Sequence, residues 1–368
     1  MGNPRWPLVC TNCRRLYPKD SLPYRCPHCG GIYDFEDPFS ISPAGLSRDH
    51  VEGIGRFRDS FPLANQGRWV SLGEGSTPLV NLERERRTVH FKCEGCNPTG
   101  SFKDRGSAVL VSALFEAGID QVIEDSSGNA GSSLAAYAAR AGIKARIFVP
   151  EYASGPKRAQ IEAYGAELVP IPGQRADVAE AAHQAAQSGI FYASHAYLPH
   201  GLAGMATIAY EIFEQLGSAP EAVVVPVGQG TLLLGMWRGF QALQRAGWIE
   251  EPPRLVGVQA LACAPLYAVF AAGATGLGMV REGETLAEGI RILNPLRGDA
   301  ILKAVADSGG WMEAVDEAAI RTARNALGAS GLYVEPTSAV VWAARDAVFE
   351  RISGEIVMVL TGSGLKSP

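Results

Sequence analysis

The chain has 368 residues, of which 47% are hydrophobic and 19% charged, so it can form two or three domains with a sizeable core. The formal net charge is −5 and there is no basic run, which argues against nucleic acid as the main partner. No apolar stretch reaches the length of a bilayer span, and residues 1–8 lack the apolar centre of a signal peptide. We therefore expect a cytoplasmic protein without a membrane partner.

Residues 1–45 are predicted to form a separate arm. The arm holds two CxxC pairs, which residues 14–25 separate. In a reducing compartment this spacing favours a metal over disulfides, and four thiolates can close a tetrahedral zinc site. Zinc would stabilise a segment too short for its own core, although a metal-free arm or a nucleic-acid zinc ribbon are alternatives. The candidate metal ligands are Cys10, Cys13, Cys26 and Cys29.

A lysine-centred string follows the predicted strand at residues 89–94. Residues 97–106 read Asn-Pro-Thr-Gly-Ser-Phe-Lys-Asp-Arg-Gly, and an apolar run then predicts a helix with Lys103 at its start. The positive potential of a helix N-terminus favours the neutral amine, which can add to an aldehyde and form a Schiff base. The alternative is an ordinary surface lysine paired with Asp104.

Cys93 and Cys96 form a third CxxC beside this lysine. A redox role or a second metal site is one interpretation. We favour the other, in which both are small, apolar-like side chains in a strand and a turn.

A loop of small residues follows the short predicted strand at residues 122–124. Residues 125–133 read Asp-Ser-Ser-Gly-Asn-Ala-Gly-Ser-Ser and lead into a predicted helix at 134–141. A strand, a small-residue loop and a helix form a unit that binds anions through backbone amides. The loop could therefore hold the carboxylate of an amino acid, the alternative being a generic loop. The candidate ligands are Ser126, Ser127 and Gly128.

Strand and helix patterns continue to alternate after this loop. Strands are predicted at residues 145–150 and 167–171, with Lys157 in the loop between them and a helix that ends near Gln187. We predict a small α/β domain at 97–200. The larger domain is then assigned to residues 46–96 and 201–368.

A glycine loop follows the buried strand predicted at residues 222–227, and a helix is predicted at 232–243. Glycines let the backbone approach a phosphate closely, and Thr231 can donate a hydroxyl hydrogen bond while it caps the helix. The spacing is not that of the dinucleotide-binding fingerprint. The candidate phosphate ligands are Gly228, Gln229, Gly230 and Thr231.

The C-terminal part contains further strands at residues 255–259 and 356–360. Residues 335–338, Glu-Pro-Thr-Ser, are predicted to open a helix with capping chemistry and a structural role. The last strand ends at Thr361, which begins the string Thr-Gly-Ser-Gly-Leu-Lys.

From about residue 70 onward the chain resembles the threonine synthase family of fold type II pyridoxal-phosphate enzymes. The resemblance rests on the string at 72–79, Leu-Gly-Glu-Gly-Ser-Thr-Pro-Leu, on the lysine string at 97–106 and on the closing string at 361–366. It implies an α/β fold with two three-layer α/β/α domains and the cofactor between them, and the arm is similar to a structural arm in some relatives. It also implies a mobile small domain, a homodimer and a small amino acid as substrate.

The resemblance assigns roles to the candidate residues. Lys103 would carry pyridoxal phosphate in Schiff-base linkage and act as general base and acid, and Asn129 would contact the phenolate oxygen of the cofactor. The glycine loop at 228–231 would hold the phosphate group, and Thr361 would place its hydroxyl on the pyridine nitrogen. Glu288 lies either near the ring or at a solvated helix start.

The implied reaction is the conversion of O-phospho-L-homoserine and water to L-threonine and phosphate. A dianionic phosphate needs basic and hydroxyl ligands, but residues 194–207 contain no Arg or Lys, and Gly201 and Ala206 stand where basic residues are expected. Lys157 and Arg158 remain as anchors. The alternatives are a serine/threonine ammonia-lyase-like β-elimination or β-replacement enzyme, and a non-catalytic binding protein of the same fold.

Overall fold

The computed structural model describes residues 7–18, 23–41, 53–63, 67–84, 87–152, 155–273, 275–276 and 280–367. Contacts between residues divide the chain into two compact units. The first unit contains the described residues up to Gly75 together with Lys103–Thr207, and the second contains Ser76–Phe102 and the residues from Ile208 onward. These boundaries differ from the domain limits drawn from the sequence, which stay a prediction.

The described strands and helices alternate over most of the chain. None of the described helices is long and apolar enough to cross a membrane. The strands are β1 (Leu8–Cys10), β2 (Tyr33–Phe35), β3 (Leu79–Arg84), β4 (Arg87–Cys93), β5 (Gln121–Glu124), β6 (Lys144–Pro150), β7 (Glu167–Ile171), β8 (Phe191–Tyr192), β9 (Ala222–Pro226), β10 (Arg254–Ala260), β11 (Trp311–Val315) and β12 (Ile356–Leu360). The helices are α1 (Lys103–Glu116), α2 (Asn129–Ala141), α3 (Pro156–Ala163), α4 (Arg175–Gln187), α5 (His200–Leu216), α6 (Thr231–Arg245), α7 (Pro265–Ala272), α8 (Gly298–Asp307), α9 (Glu317–Ala329), α10 (Pro336–Ala343) and α11 (Arg345–Arg351).

The first unit contains a four-stranded parallel sheet in the order β7-β6-β5-β8. Val122 and Ile123 of β5 and Ile147 of β6 are fully buried, as expected for parallel strands that are covered on both faces. The loop that starts at Asp125 leaves the carboxyl end of β5, where open α/β sheets place their ligands. The arm adds an antiparallel pair, in which Leu8 lies opposite Phe35.

The second unit contains a six-stranded sheet in the order β11-β10-β9-β12-β4-β3. Only β3 runs antiparallel to its neighbour among these strands. All residues of β9 and β12 are buried, and Val340 and Val341 of α10 pack in the same core cluster as Met358. Because β4, β9 and β12 are parallel, the residues that follow them leave the sheet at one edge. Those residues are Glu94, the glycine loop and Thr361.

Candidate active site

Lys103 is the first residue of α1 and is half-buried, so the prediction that it lies at a helix N-terminus is confirmed. The backbone N–H of Phe102, the preceding residue, donates to the carbonyl of Thr361 at 3.0 Å. Ser101 forms an isolated β-bridge with Gly362. The backbone that leads into Lys103 is therefore fixed to the closing string of the chain.

Buried polar contacts hold the loop before Lys103. Lys366 is buried, and its Nζ donates to the carbonyl of Thr99 at 2.7 Å. The amide of Asn97 donates to Glu94 Oε2 at 2.9 Å. Gly100 has a φ of +85°, a backbone conformation that glycine adopts without strain. Lys366 therefore holds the loop that precedes Lys103, a role that the sequence did not indicate.

The two residues after Lys103 are fully buried. Ser133 Oγ donates to Asp104 Oδ1 at 2.7 Å, and Arg105 Nη1 donates to Thr207 Oγ1 at 2.9 Å. Asp104 is therefore part of the core that joins α1 to α2 and does not lie at the surface.

The loop after β5 forms an uncapped helix N-terminus. Gly128 is the N-cap of α2 and makes no side-chain capping hydrogen bond, while its N–H donates to Ser126 Oγ at 3.3 Å. A Cβ at Gly131 would lie 1.8 Å from the Ser126 carbonyl oxygen, so this position requires glycine. Asn129 is the first residue of α2. First-turn amides without a cap can bind an anion such as a carboxylate.

Lys157 lies in α3, next to this helix terminus. Its carbonyl accepts a hydrogen bond from Ser132 Oγ at 3.3 Å, and its side chain is half-buried. Arg158 pairs with Glu162 at 3.4 Å on the same helix. Of the two anchors considered from the sequence, Lys157 is thus joined to α2, and Arg158 is engaged in a partly exposed ion pair.

An acidic pair that the sequence analysis did not single out precedes the loop. Glu124 and Asp125 are both buried, and His195 Nδ1 lies 3.2 Å from Glu124 Oε1. Burial and the neighbouring Asp125 raise the pKa of the Glu124 carboxyl well above its usual value, and the Lys103 ammonium opposes that rise. Burial and the same Lys103 charge lower the pKa of His195 well below its usual value. The only sequence signal was two consecutive acids at the end of an apolar strand.

Glycines line the return of the chain from the first sheet. A Cβ at Gly204 would lie 1.9 Å from the Arg105 carbonyl oxygen, and Gly201 faces Gly106 in α1. Ala206 is also buried. Small residues therefore stand here because α5 packs closely against α1, which gives a structural reason for the missing basic side chains.

The glycine loop at residues 228–231 opens α6 in the second unit. A Cβ at Gly228 would lie 3.0 Å from the Ile290 Cα, and Gly230 has a φ of +73°. Gly230 is the N-cap of α6 and makes no side-chain capping hydrogen bond. The prediction that Thr231 caps the helix is therefore wrong, because Thr231 is already inside it. The first-turn amides remain suited to a phosphate.

The side chain of Gln229 contacts the neighbouring backbone, and that of Glu288 faces solvent. Gln229 Oε1 accepts the backbone N–H of Leu296 at 3.2 Å and so holds the loop before α8. Glu288 is the exposed first residue of a short 3-10 helix. Exposure favours the solvated interpretation of Glu288.

Thr361 is buried at the carboxyl end of β12. Its hydroxyl donates to Glu335 Oε1 at 2.9 Å and lies 3.0 Å from Ser338 Oγ. Residues 335–338 open α10 as predicted, but the N-cap Glu335 makes no side-chain capping hydrogen bond, so the capping chemistry predicted for this string is wrong. The carboxylate orients the threonine hydroxyl instead.

The four arm cysteines come together in the first unit. Their Sγ atoms all lie within 4.8 Å of one another, with Cys10 and Cys29 at 3.4 Å and Cys13 and Cys26 at 3.7 Å. Tetrahedral zinc with bonds of about 2.3 Å separates its sulfur ligands by about 3.8 Å. The donor set therefore fits zinc.

Cys93 is buried, and burial raises the pKa of its thiol to about 11. Cys96 is exposed. A thiol with a raised pKa is a poor nucleophile and metal ligand, which supports the apolar interpretation of Cys93.

The described residues also fit pyridoxal phosphate. A cofactor of this kind needs an amine for its aldehyde, a cradle of amides for its phosphate and a polar partner for its ring nitrogen. The first unit provides the half-buried Lys103 at a helix start. The second provides a glycine loop, in which a Cβ at Gly228 or Gly230 would lie 3.0 Å or less from neighbouring protein atoms, and a buried hydroxyl at Thr361.

The chain is similar to curated proteins over nearly its whole length. It is 37% identical to "Threonine synthase" of Methanocaldococcus jannaschii over 378 aligned positions, covering 98% of this chain and 92% of the relative. It is 35% identical to "Threonine synthase" of Mycobacterium tuberculosis, covering 89% of this chain and 92% of the relative. These relatives support a threonine synthase-like, pyridoxal-phosphate-dependent activity.

A solved structure confirms the fold. The threonine deaminase of T.th. matches with a TM-score of 0.66 and 26% identity, covering 78% of this chain and 92% of that chain. Residues 70–362 match the family described as "Pyridoxal-phosphate dependent enzyme". The expected α/β fold of type II is therefore confirmed, and the chain belongs to the pyridoxal-phosphate dependent enzymes as a threonine synthase-like lyase.

Proposed function

We propose that the protein converts O-phospho-L-homoserine and water to L-threonine and phosphate. The observation that carries the proposal is the 37% identity to a threonine synthase along 98% of this chain. A match of that extent spans the lysine string and both anion loops. The non-catalytic alternative is not retained, because the chain belongs to an enzyme family and keeps Lys103.

The first unit is proposed to bind substrate and move protons. Ser126, Ser127 and the amides around Gly128 hold the substrate carboxylate, since the N-terminus of α2 has no side-chain cap. The Lys103 amine takes the proton from the substrate Cα and returns it later, as general base and acid. Asn129 donates to the phenolate oxygen of the cofactor from the first turn of α2.

The second unit is proposed to hold the phosphate and the ring. Amides of the loop at 228–231 donate to the cofactor phosphate. Thr361 lies at the ring nitrogen, and its hydroxyl is oriented by the buried carboxylate of Glu335 at 2.9 Å. When bound, pyridoxal phosphate supplies an electron sink that makes the substrate Cα–H acidic. The Thr361 hydroxyl has one proton, so it can serve an unprotonated ring nitrogen by donating there in place of Glu335, an arrangement that suits elimination and replacement.

A second candidate is β-elimination from serine or threonine, as in an ammonia-lyase. The observation that favours it is the lack of Arg and Lys at residues 194–207. A dianionic phosphate needs basic ligands, and this segment supplies none. Lys157 is then the main phosphate anchor that remains for the synthase reaction.

Product analysis separates these reactions. The purified holoenzyme is given phosphohomoserine, threonine or serine, and phosphate, threonine, 2-oxobutyrate and pyruvate are measured. The synthase proposal predicts equal amounts of phosphate and threonine from phosphohomoserine. Release of 2-oxobutyrate from threonine, with no phosphate from phosphohomoserine, contradicts the synthase proposal and supports the lyase.

Two lysine variants sharpen this test. Lys157→Met should raise KM for phosphohomoserine about tenfold, the loss expected for one charge-assisted contact. Lys303→Met is the matched control, because Lys303 is exposed and pairs with Asp307 at 2.8 Å on α8. Equal effects of the two changes would count against a role of Lys157 in substrate binding.

We further propose that zinc occupies the four-cysteine site, which its sulfur distances support. Metal analysis of the purified protein should give one zinc per chain, and a zinc-free protein with intact thiols contradicts the assignment. The protein is also proposed to be a cytoplasmic homodimer that binds no nucleic acid or membrane. Sedimentation equilibrium tests the dimer directly.

A further inference from the structure

The two residues directly before Cys26 contact the rest of the unit, as does Phe35 of the arm, whose ring lies 5.7 Å from that of His200. Arg25 Nη2 donates to Tyr197 Oη at 2.6 Å, and the Arg25 guanidinium carbon lies 4.9 Å from the centroid of the same ring. A hydrogen bond and a cation–π contact thus both join the Arg25 guanidinium to Tyr197. Arg25 therefore connects the second CxxC pair to the segment that leads into α5.

Tyr24 completes a cluster of four rings, made of Tyr24, His183, Tyr192 and Tyr197. The ring of Tyr24 lies 5.4 Å from His183, 5.1 Å from Tyr192 and 5.1 Å from Tyr197, measured between centroids. The other three rings lie 5.5 to 6.0 Å from one another. These distances are those of favourable aromatic pairs. The arm contributes one ring, and α4, β8 and the segment before α5 contribute the others.

The ring cluster reaches the proposed carboxylate loop. Tyr192 Oη donates to Asp125 Oδ1 at 2.5 Å, and both residues are buried. Arg175 at the start of α4 lies 3.5 Å from the other carboxylate oxygen of Asp125. Asp125 directly precedes Ser126. A continuous series of contacts thus leads from Cys26 to the loop.

We propose that Tyr24 and Arg25 are positioning residues for the carboxylate loop, through which metal at the four cysteines sets the affinity for the amino-acid substrate. The proposal rests on the carboxylate and zinc sites proposed above. Metal fixes Cys26 and hence the two residues before it. Without metal the arm has too small a core to order Tyr24, so the ring cluster must bear the entropy cost of ordering it.

The first test compares Tyr24→Ala with Tyr24→Phe and Leu16→Ala in the holoenzyme. Phenylalanine keeps the ring, and Leu16 is an arm residue that is 65% exposed. Tyr24→Ala should raise the KM and the Kd for the amino acid about tenfold, while kcat stays within about twofold of the value for the unchanged protein. The Kd is read from the spectral shift of the cofactor. The two controls should behave like the unchanged protein. Equal losses in Tyr24→Ala and Leu16→Ala overturn the proposal.

The second test measures coupling to the metal. A chelator that strips zinc should raise the Kd of the unchanged protein about as much as Tyr24→Ala does. It should have little further effect on Tyr24→Ala, because both changes break one series of contacts. If zinc removal raises the Kd of Tyr24→Ala by the same factor as that of the unchanged protein, the two effects are independent and the proposed route through Tyr24 is contradicted. Arg25→Met, which leaves the ring cluster intact, should show part of the same loss.

A third readout does not depend on catalysis or on amino-acid binding. Hydrogen exchange of the peptide at residues 191–200 should become faster on zinc removal and in Tyr24→Ala, and stay unchanged in Leu16→Ala. Unchanged exchange at 191–200 after zinc removal refutes the inference, even if the enzyme is active. Faster exchange in a protein that lacks both proposed reactions would leave the coupling standing and reject the proposed function.

Discussion

Lys92 and Glu211 form a buried ion pair in the second unit, and removing one partner should cost much of that unit's stability. Lys92 Nζ donates to Glu211 Oε2 at 2.7 Å, to the carbonyl of Thr77 at 2.8 Å and to Gln215 Oε1 at 3.0 Å. An ammonium group has three N–H donors, so all three are used. The two charged side chains are 0% and 1% exposed.

The expected cost follows from this burial. Lys92→Met leaves the Glu211 carboxylate buried without its cation, which typically costs about 3–5 kcal/mol. Replacing both partners by apolar residues, as in Lys92→Met with Glu211→Leu, should recover most of this loss. The exposed pair of Lys303 and Asp307, at 2.8 Å, is the control, and Lys303→Met should cost less than about 1 kcal/mol.

Cys93 provides the assay, because it follows Lys92 in β4 and is buried. Thiol labelling of the native protein, located by peptide mass spectrometry, reports how often this strand opens. Lys92→Met should speed labelling of Cys93 by about 150 to 5,000-fold, the equivalent of the expected loss. An increase of the labelling rate below about tenfold would refute the reasoning. A double variant whose loss of stability equals the sum of the losses in the two single variants would also refute it.

Three further predictions address pH, cofactor binding and the ring partner. Burial lowers the pKa of His200 to about 4, so the contribution of this histidine to the free energy of unfolding is full above pH 6.5 and falls by about 3 kcal/mol as the pH drops to 4. His200→Gln should lack this loss of stability in urea unfolding, and the same loss in the variant would contradict the prediction. Gly230→Ala places a Cβ 2.1 Å from a neighbouring side-chain atom and should weaken cofactor binding, measured by absorbance titration, at least about tenfold. Gly247→Ala is the control, because Gly247 has a similar φ of +75° and a Cβ there meets nothing within 4 Å, and equal effects of the two changes would reject a role of the glycine loop in cofactor binding. Thr361→Val removes the hydroxyl that donates to the buried Glu335 carboxylate and should lower the free energy of unfolding in urea by about 1–3 kcal/mol. Thr361→Ser should keep most of that stability, and equal losses in the two variants would exclude the hydroxyl as the cause.

Much of the fold could be predicted, because buried parallel strands are apolar runs. The run at 356–360 is β12, and the strand predicted at 167–171 is β7. The sequence predicts the start of α2 too late, at Leu134, whereas the helix begins at Asn129. Its first residues are Asn, Ala, Gly and Ser, which carry little hydrophobic periodicity.

The candidate site could be predicted only in its local parts. Lys103 at a helix start follows from neighbouring residues, but the partners of the site come from distant ones. Glu335 meets Thr361 because β12 and α10 pack together, and Lys366 reaches Thr99 across the loop. The contact of Tyr24 with Tyr192 depends likewise on how the arm folds back. A single sequence gives no signal for such pairings.

The central claim is that Lys103 carries the cofactor, and one measurement tests it most directly. Borohydride reduction of the purified holoprotein fixes the bound cofactor to its lysine, and peptide mass spectrometry then locates it. We expect the cofactor mass on Lys103 alone. Labelling of another lysine, such as the buried Lys92, or no labelled peptide at all, would contradict the account.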